Sequence, residues 1–214
     1  LTMQLGIKLL SQSNSNLRSP TVKIDYTHEF FDMLPFNPTS AQRRAAAEAV
    51  DDMRTGKPMK RLLQGDVGSG KTAVAAAVCY TCIKCGMQAA FMAPTAILCE
   101  QHYRSFMKFF RGTGVKSALL LGSTPAKEKK IIYEQLSTGE IDFIVGTHAL
   151  LNDNIAFKNL GIVITDEQHR FGVEQRASLI SKGNNPHLYV MSATPIPRTL
   201  SLAIYGDLNV SVLD

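Results

Sequence analysis

An α/β domain with a mostly parallel sheet and helices on both faces is the fold this sequence predicts, and three observations predict it. From about residue 60 onward, short apolar runs of strand length alternate with longer stretches of helical periodicity, the pattern that βαβ units impose. One strand-to-helix junction, Arg61 to Thr72, reads RLLQGDVGSGKT and fits G-x-x-x-x-G-K-[ST], the phosphate loop. Hydrophobic residues make up 45% of the 214 positions and charged residues 19%. That is enough apolar material for a sizeable core and too little charge for disorder. The length suits one large domain.

Taken in order, residues 1–17 are apolar but ragged (Leu5, Ile7, Leu9, Leu10, Leu17) and predict a helix docking onto something. Ser11 to Pro20 is rich in Ser and Asn and reads as a linker. A short helix around His28–Met33 ends before Pro35, because the residue preceding proline is pushed out of the helical region. The next helix starts at Thr39, carries Ala45, Ala49, Val50 and Met53 at helical spacing, and stops at Gly56. Strand-like runs follow at 62–63, 89–92, 117–121, 143–145, 162–165, 188–191 and 210–213, with helical patterns at 71–85, 96–111, 125–137, 173–181 and 198–205. Residues 1–33 are therefore expected to be a helix and linker from a preceding domain, and 34–214 one domain. The chain opens at Leu1 rather than Met, and its last strand-like run stops at Asp214, so a piece of a longer protein is expected.

The chemistry gathers at strand ends, where ligands of such sheets bind. Glycines at 65, 68 and 70 allow backbone conformations closed to other residues, so that successive amides can turn toward a phosphate. The helix starting near Lys71 adds its positive end. We assign Gly65, Asp66, Val67, Gly68, Ser69, Gly70, Lys71 and Thr72 to a nucleoside triphosphate. Lys71 reaches the β- and γ-phosphates and the Thr72 hydroxyl ligates Mg²⁺. The run GIVITDEQH ends a buried strand in two acids. Asp166 suits Mg²⁺ and Glu167 suits polarising the attacking water, although Asp166 also fits a helix cap. Thr39-x-x-Gln42 fits a capping box, and Gln42 fits a nucleotide contact equally well. Ser192 and Thr194, like Thr95, Ser123, Thr147 and His148, lie just past strand ends. Hydroxyls there can cap loops or hold phosphates of a nucleic acid strand.

A formal net charge of +5 and a pI near 9.0 lean toward a polyanionic partner. No apolar run reaches membrane-span length and no signal peptide opens the chain, which predicts a cytoplasmic protein. Cys79, Cys82 and Cys85 are spaced C-x-x-C-x-x-C among Ala and Val, and no fourth ligand stands near at metal-site spacing. They are expected to be buried free thiols, as is Cys99.

In order, Gln42, GDVGSGKT (65–72), MAPTAILCEQH (92–102), GTHALL (146–151), DEQH (166–169) and SATPIPRT (192–199) resemble the first motor domain of a superfamily 2 helicase, a RecA-like ATP-binding fold. The strings RLLQGD, DEQHRFGV and the late YGDL resemble the RecG-type DNA helicases of fork reversal and branch migration in recombination and repair. Mfd-type transcription-repair translocases share DE-x-HRFGV and resemble the chain less at Gln168. The resemblance covers about residue 34 to the C-terminus. It implies ATP and Mg²⁺ as cofactors, with Gln42 on adenine, Lys71 and Thr72 on phosphates and metal, and Asp166 and Glu167 on metal and water. Gln168, His169, Ser192 and Thr194 would couple nucleotide state to DNA, and Thr95 and Thr147 would touch the DNA backbone. Branched DNA is the implied partner, together with a second motor domain and a wedge domain elsewhere in a longer protein. A nucleotide-binding fragment without turnover is the alternative outside enzymes.

Overall fold

The computed structural model describes residues 18–166, 173–193 and 208–213. The expected helices in 1–17 and 198–205 lie outside them. In chain order the elements are α1 (Thr27–Asp32), α2 (Ser40–Arg54), β1 (Lys60–Gly65), α3 (Lys71–Lys84), β2 (Gln88–Met92), α4 (Ala96–Phe109), β3 (Ser117–Leu120), α5 (Ala126–Thr138), β4 (Phe143–Gly146), a 3₁₀ turn (His148–Leu151), β5 (Leu160–Asp166), α6 (Val173–Ile180), β6 (His187–Ser192) and β7 (Asn209–Leu213). All seven expected strands form, in one sheet of order β3-β4-β2-β5-β6-β1-β7. Every neighbouring pair is parallel, so the mostly parallel sheet is wholly parallel among the described residues.

Alternation along the strands sends side chains to two separate cores, since successive residues of a strand point to opposite faces. Ala89 and Phe91 of β2 and Ile162 and Ile164 of β5 join the core under α1, α2, α3 and α4. Ala90, Met92 and Val163 join the other, which Ile132 and Leu136 of α5, Leu150 of the 3₁₀ turn and Leu179 of α6 complete. Helices thus cover both faces. Central β5 is buried at every position, as strands covered on both sides must be. The 3₁₀ turn escapes periodicity because a single turn is too short to show any.

Helix α3 is apolar all round, with Ala73 to Cys82 buried without interruption. Its small side chains let α1, α2 and α4 pack on it while it lies against the sheet. Cys79 and Cys82 are part of that packing; burial raises both thiols above their ordinary range. Under α4, Phe106 is fully buried and meets Phe91, Phe110 and Phe143 with ring centroids 5.2, 5.7 and 4.5 Å away.

At the opposite edge from the strand ends, His187 ties residues 18–22 to the sheet. Its Nδ1 accepts from Met59 N–H at 3.0 Å, and its Nε2 lies 2.7 Å from the Pro20 carbonyl. An amide only donates and a carbonyl only accepts, so the ring is neutral with its hydrogen on Nε2. Burial outweighs the Pro20 carbonyl and Asp52 and pushes the pKa down to about 4. The unfolded chain, with His near 6.5, therefore binds a proton that the folded chain refuses between those values. Stability from this site is complete above about pH 6.5 and falls as pH drops toward 4. Thermal midpoints of the chain and of His187→Gln should converge across that window; parallel curves would refute the assignment.

Candidate nucleotide-binding site

Strand β1 ends at Gly65, and the chain turns there through Asp66 to Gly70 before α3 starts at Lys71. A Cβ on Gly65 would come 2.9 Å from Leu213 Cβ, so β7 packs against the very start of the loop. Gly68 and Gly70 have φ of 88° and 85°, in the left-handed region where a side chain is strained. A Cβ on Gly70 would also run into the Gln42 side-chain amide.

That amide forms the capping box and makes a further bond to the loop. The Thr39 hydroxyl accepts from Gln42 N–H at 3.2 Å and Gln42 Oε1 accepts from Thr39 N–H at 3.0 Å, completing the capping box of α2. Gln42 Nε2 then donates to the Ser69 carbonyl at 2.8 Å, fixing the loop to α2. Lys71 Nζ donates to the Gly65 and Asp66 carbonyls at 2.6 and 2.8 Å, which holds the cation at the loop. Helix α3, 14 residues long, starts at the loop and turns its positive end toward it, with the Ala73 and Val74 amides donating to the Gly70 carbonyl at 2.9 and 3.3 Å. With Val67 90% exposed at the tip, the loop is open to solvent. Left-handed glycines, a helix N-terminus, an ammonium and the Thr72 hydroxyl make a donor set that fits the phosphates of a nucleotide.

The other candidate residues within the described segments sit at or just past strand ends along the same edge. Arg61, near the opposite end of β1, ties the strand laterally to α2 and β7. It is buried, donates to Asp52 and Glu48 of α2 at 2.9 and 3.0 Å, and reaches Ser211 of β7 at 2.7 Å. Asp166 ends β5 and is 8% exposed, and Ser192 ends β6 and is buried too. Asp166 caps no helix in the described residues; its Oδ2 lies 2.6 Å from His102 Nε2 on α4. Sequence reasoning assigned His102 no role. It closes the string 92–102, but its partner is remote in the chain, and only the β2–β5 pairing brings the two together.

Strand order divides the edge in two. The adjacent strands β5, β6 and β1 carry Asp166, Ser192 and the phosphate loop. The adjacent strands β3, β4 and β2 lead to Ser123, Thr147 and Thr95. Thr95 is the N-cap of α4, accepting from Leu98 N–H at 3.3 Å, and Thr147 caps the 3₁₀ turn, accepting from Ala149 N–H at 3.4 Å. Thr147 is buried and Ser123 exposed. Glu167, Gln168, His169 and Thr194 lie outside the described residues, as do Arg170 and Arg198. The four cysteines are free; Cys99 is held by burial at a pKa of about 11. Among the described residues no helix is long and apolar enough to cross a membrane.

The model of the DEAD/DEAH box helicase family matches residues 39–202. The ATP-dependent DNA helicase RecG of Aquifex aeolicus is 49% identical over 99% of this chain and 27% of its own length. That of Bacillus subtilis is 53% identical over 86% of the chain, again 27% of its own length. The chain thus spans about a quarter of these curated relatives. Among solved structures, RecG bound to a three-way DNA junction superposes with a TM-score of 0.86 at 44% identity, covering 100% of this chain and 29% of that one. The UvsW helicase of bacteriophage T4, at 15% identity and a TM-score of 0.65, shares the fold. With the family match spanning most of the sequence and the phosphate loop and Asp166 on one sheet edge, the chain belongs to the DEAD/DEAH box helicase family.

Proposed function

We propose that this chain is the ATP-binding first motor domain of a RecG-like DNA helicase acting on branched DNA, with residues 34–214 as the motor and 1–33 as a connection to a preceding domain. One observation carries the reading: a complete phosphate loop and Asp166 share an edge of the sheet in a chain that resembles RecG along its whole length. The loop amides and Lys71 bind and neutralise the phosphates, and Gln42, fixed between α2 and the loop, faces adenine. Thr72 and Asp166 would hold Mg²⁺, whose charge offsets that of the phosphates and orients them. Glu167 polarises the attacking water. Gln168, His169, Ser192 and Thr194 relay nucleotide state toward DNA, which Thr95, Ser123 and Thr147 meet at its phosphates. A second motor domain and a wedge domain complete the machine, which works in the cytoplasm on forks and Holliday junctions.

The test is ATP hydrolysis by the intact protein against a three-way junction, a linear duplex and no DNA. Stimulation strongest with the junction is the expected result. Equal rates in all three would reject the branched-DNA assignment.

A further inference from the structure

The boundary between the two halves of the strand edge runs between β2 and β5. The His102 side chain crosses it. Helix α4 begins beside the end of β2 at Thr95 and, about two turns on, turns His102 toward the end of β5. There Nε2 lies 2.6 Å from Asp166 Oδ2, with the two side chains only 15% and 12% exposed. A carboxylate only accepts, so the imidazole donates through Nε2. The ring is set by Phe91 of β2, whose centroid lies 4.6 Å away, and Phe91 is itself packed on Phe106. The donor is thus fixed from behind by the aromatic core and aimed at one oxygen of one acid.

We infer that His102 is a positioning residue for Asp166, fixing the carboxylate that would face the divalent cation; this rests on the nucleotide-site reading proposed above. An aspartate at a strand end has two side-chain torsions to settle. A hydrogen bond to Oδ2 settles them and leaves Oδ1 directed by the same constraint. Docking α4 on the sheet does not need this contact, since Cys99 and Phe106 of the same helix are completely buried without it. Outer partners of this kind typically change metal affinity by ~10–100-fold when removed.

Two variants separate positioning from packing. His102→Phe keeps a ring against Phe91 and removes the donor; His102→Gln keeps an amide donor at similar reach and removes the ring. The readout is binding, not turnover: affinity of the chain for fluorescent ADP, in EDTA and across a Mg²⁺ titration, with circular dichroism as the check on folding. For His102→Phe we expect unchanged affinity in EDTA and a Mg²⁺ midpoint raised ~10-fold or more. For His102→Gln we expect a midpoint within about threefold of the unaltered chain, because the donor persists. A His102→Phe midpoint equal to that of the unaltered chain would overturn the inference. So would a loss of affinity in EDTA by either folded variant, since that marks a general structural role. If His102→Phe does not fold, a His102→Gln midpoint raised as far as that expected for Phe would overturn it and a near-normal one would support it. Failure of the unaltered chain to bind ADP at all would reject the nucleotide site itself, and this inference with it.

Discussion

Glu167→Gln in the intact protein is expected to bind ATP with near-normal affinity and to hydrolyse it ~10²–10⁴-fold more slowly, the usual scale for a lost general base. Glutamine keeps the size of the side chain and its capacity to hydrogen-bond, so the loop and its nucleotide should not sense the change. What disappears is the carboxylate that polarises water. Asp166, the preceding residue, is buried and committed through Oδ2 to His102, so it is poorly placed to substitute as base. Single-turnover hydrolysis beside equilibrium binding separates the two effects. Normal hydrolysis by Glu167→Gln together with abolition by Asp166→Asn would show that the roles of the two acids are assigned the wrong way round.

The 214-residue chain alone is expected to turn ATP over far more slowly than the intact protein. Charge that develops on the γ-phosphate usually needs an arginine reaching in from outside the phosphate-loop core, worth ~10³–10⁵ in rate where it is supplied in trans. The resemblance to superfamily 2 helicases assigns that arginine to a second motor domain, and this chain spans 29% of the RecG chain it superposes on. Arg170 and Arg198, which flank the acidic and SATPIP strings, suit a domain interface better than the phosphate. DNA binding by the chain alone should likewise be weak and steeply salt-dependent, because its expected contacts are to phosphates. Robust DNA-stimulated hydrolysis by the 214 residues, abolished by Lys71→Ala, would show instead that the catalytic site is complete within them.

Much of this architecture is legible in the sequence because its signals are local. The strands read as short apolar runs, and each of the seven appears where expected. The phosphate loop reads directly because a helix start, three glycines and a lysine must be consecutive to work. Strand order is not legible: nothing local announces that β1 lies between β6 and β7, yet that placement sets Leu213 against Gly65 and Arg61 against Ser211. Gln42 shows the limit most clearly. The capping box is a four-residue pattern, whereas the bond of Gln42 to Ser69 joins residues remote in the chain and needs α2 packed on α3. His102 escaped for the same reason, since its role depends on β2 and β5 being neighbours.

The central claim is that residues 65–72 grip the phosphates of a nucleotide, and calorimetry of ADP binding to the chain and to Lys71→Ala tests it most directly. Loss of a charge-assisted contact of this kind should weaken affinity on the order of 10- to 100-fold, with the fold intact because Lys71 is not part of either core. Equal affinities for the two forms would contradict the account.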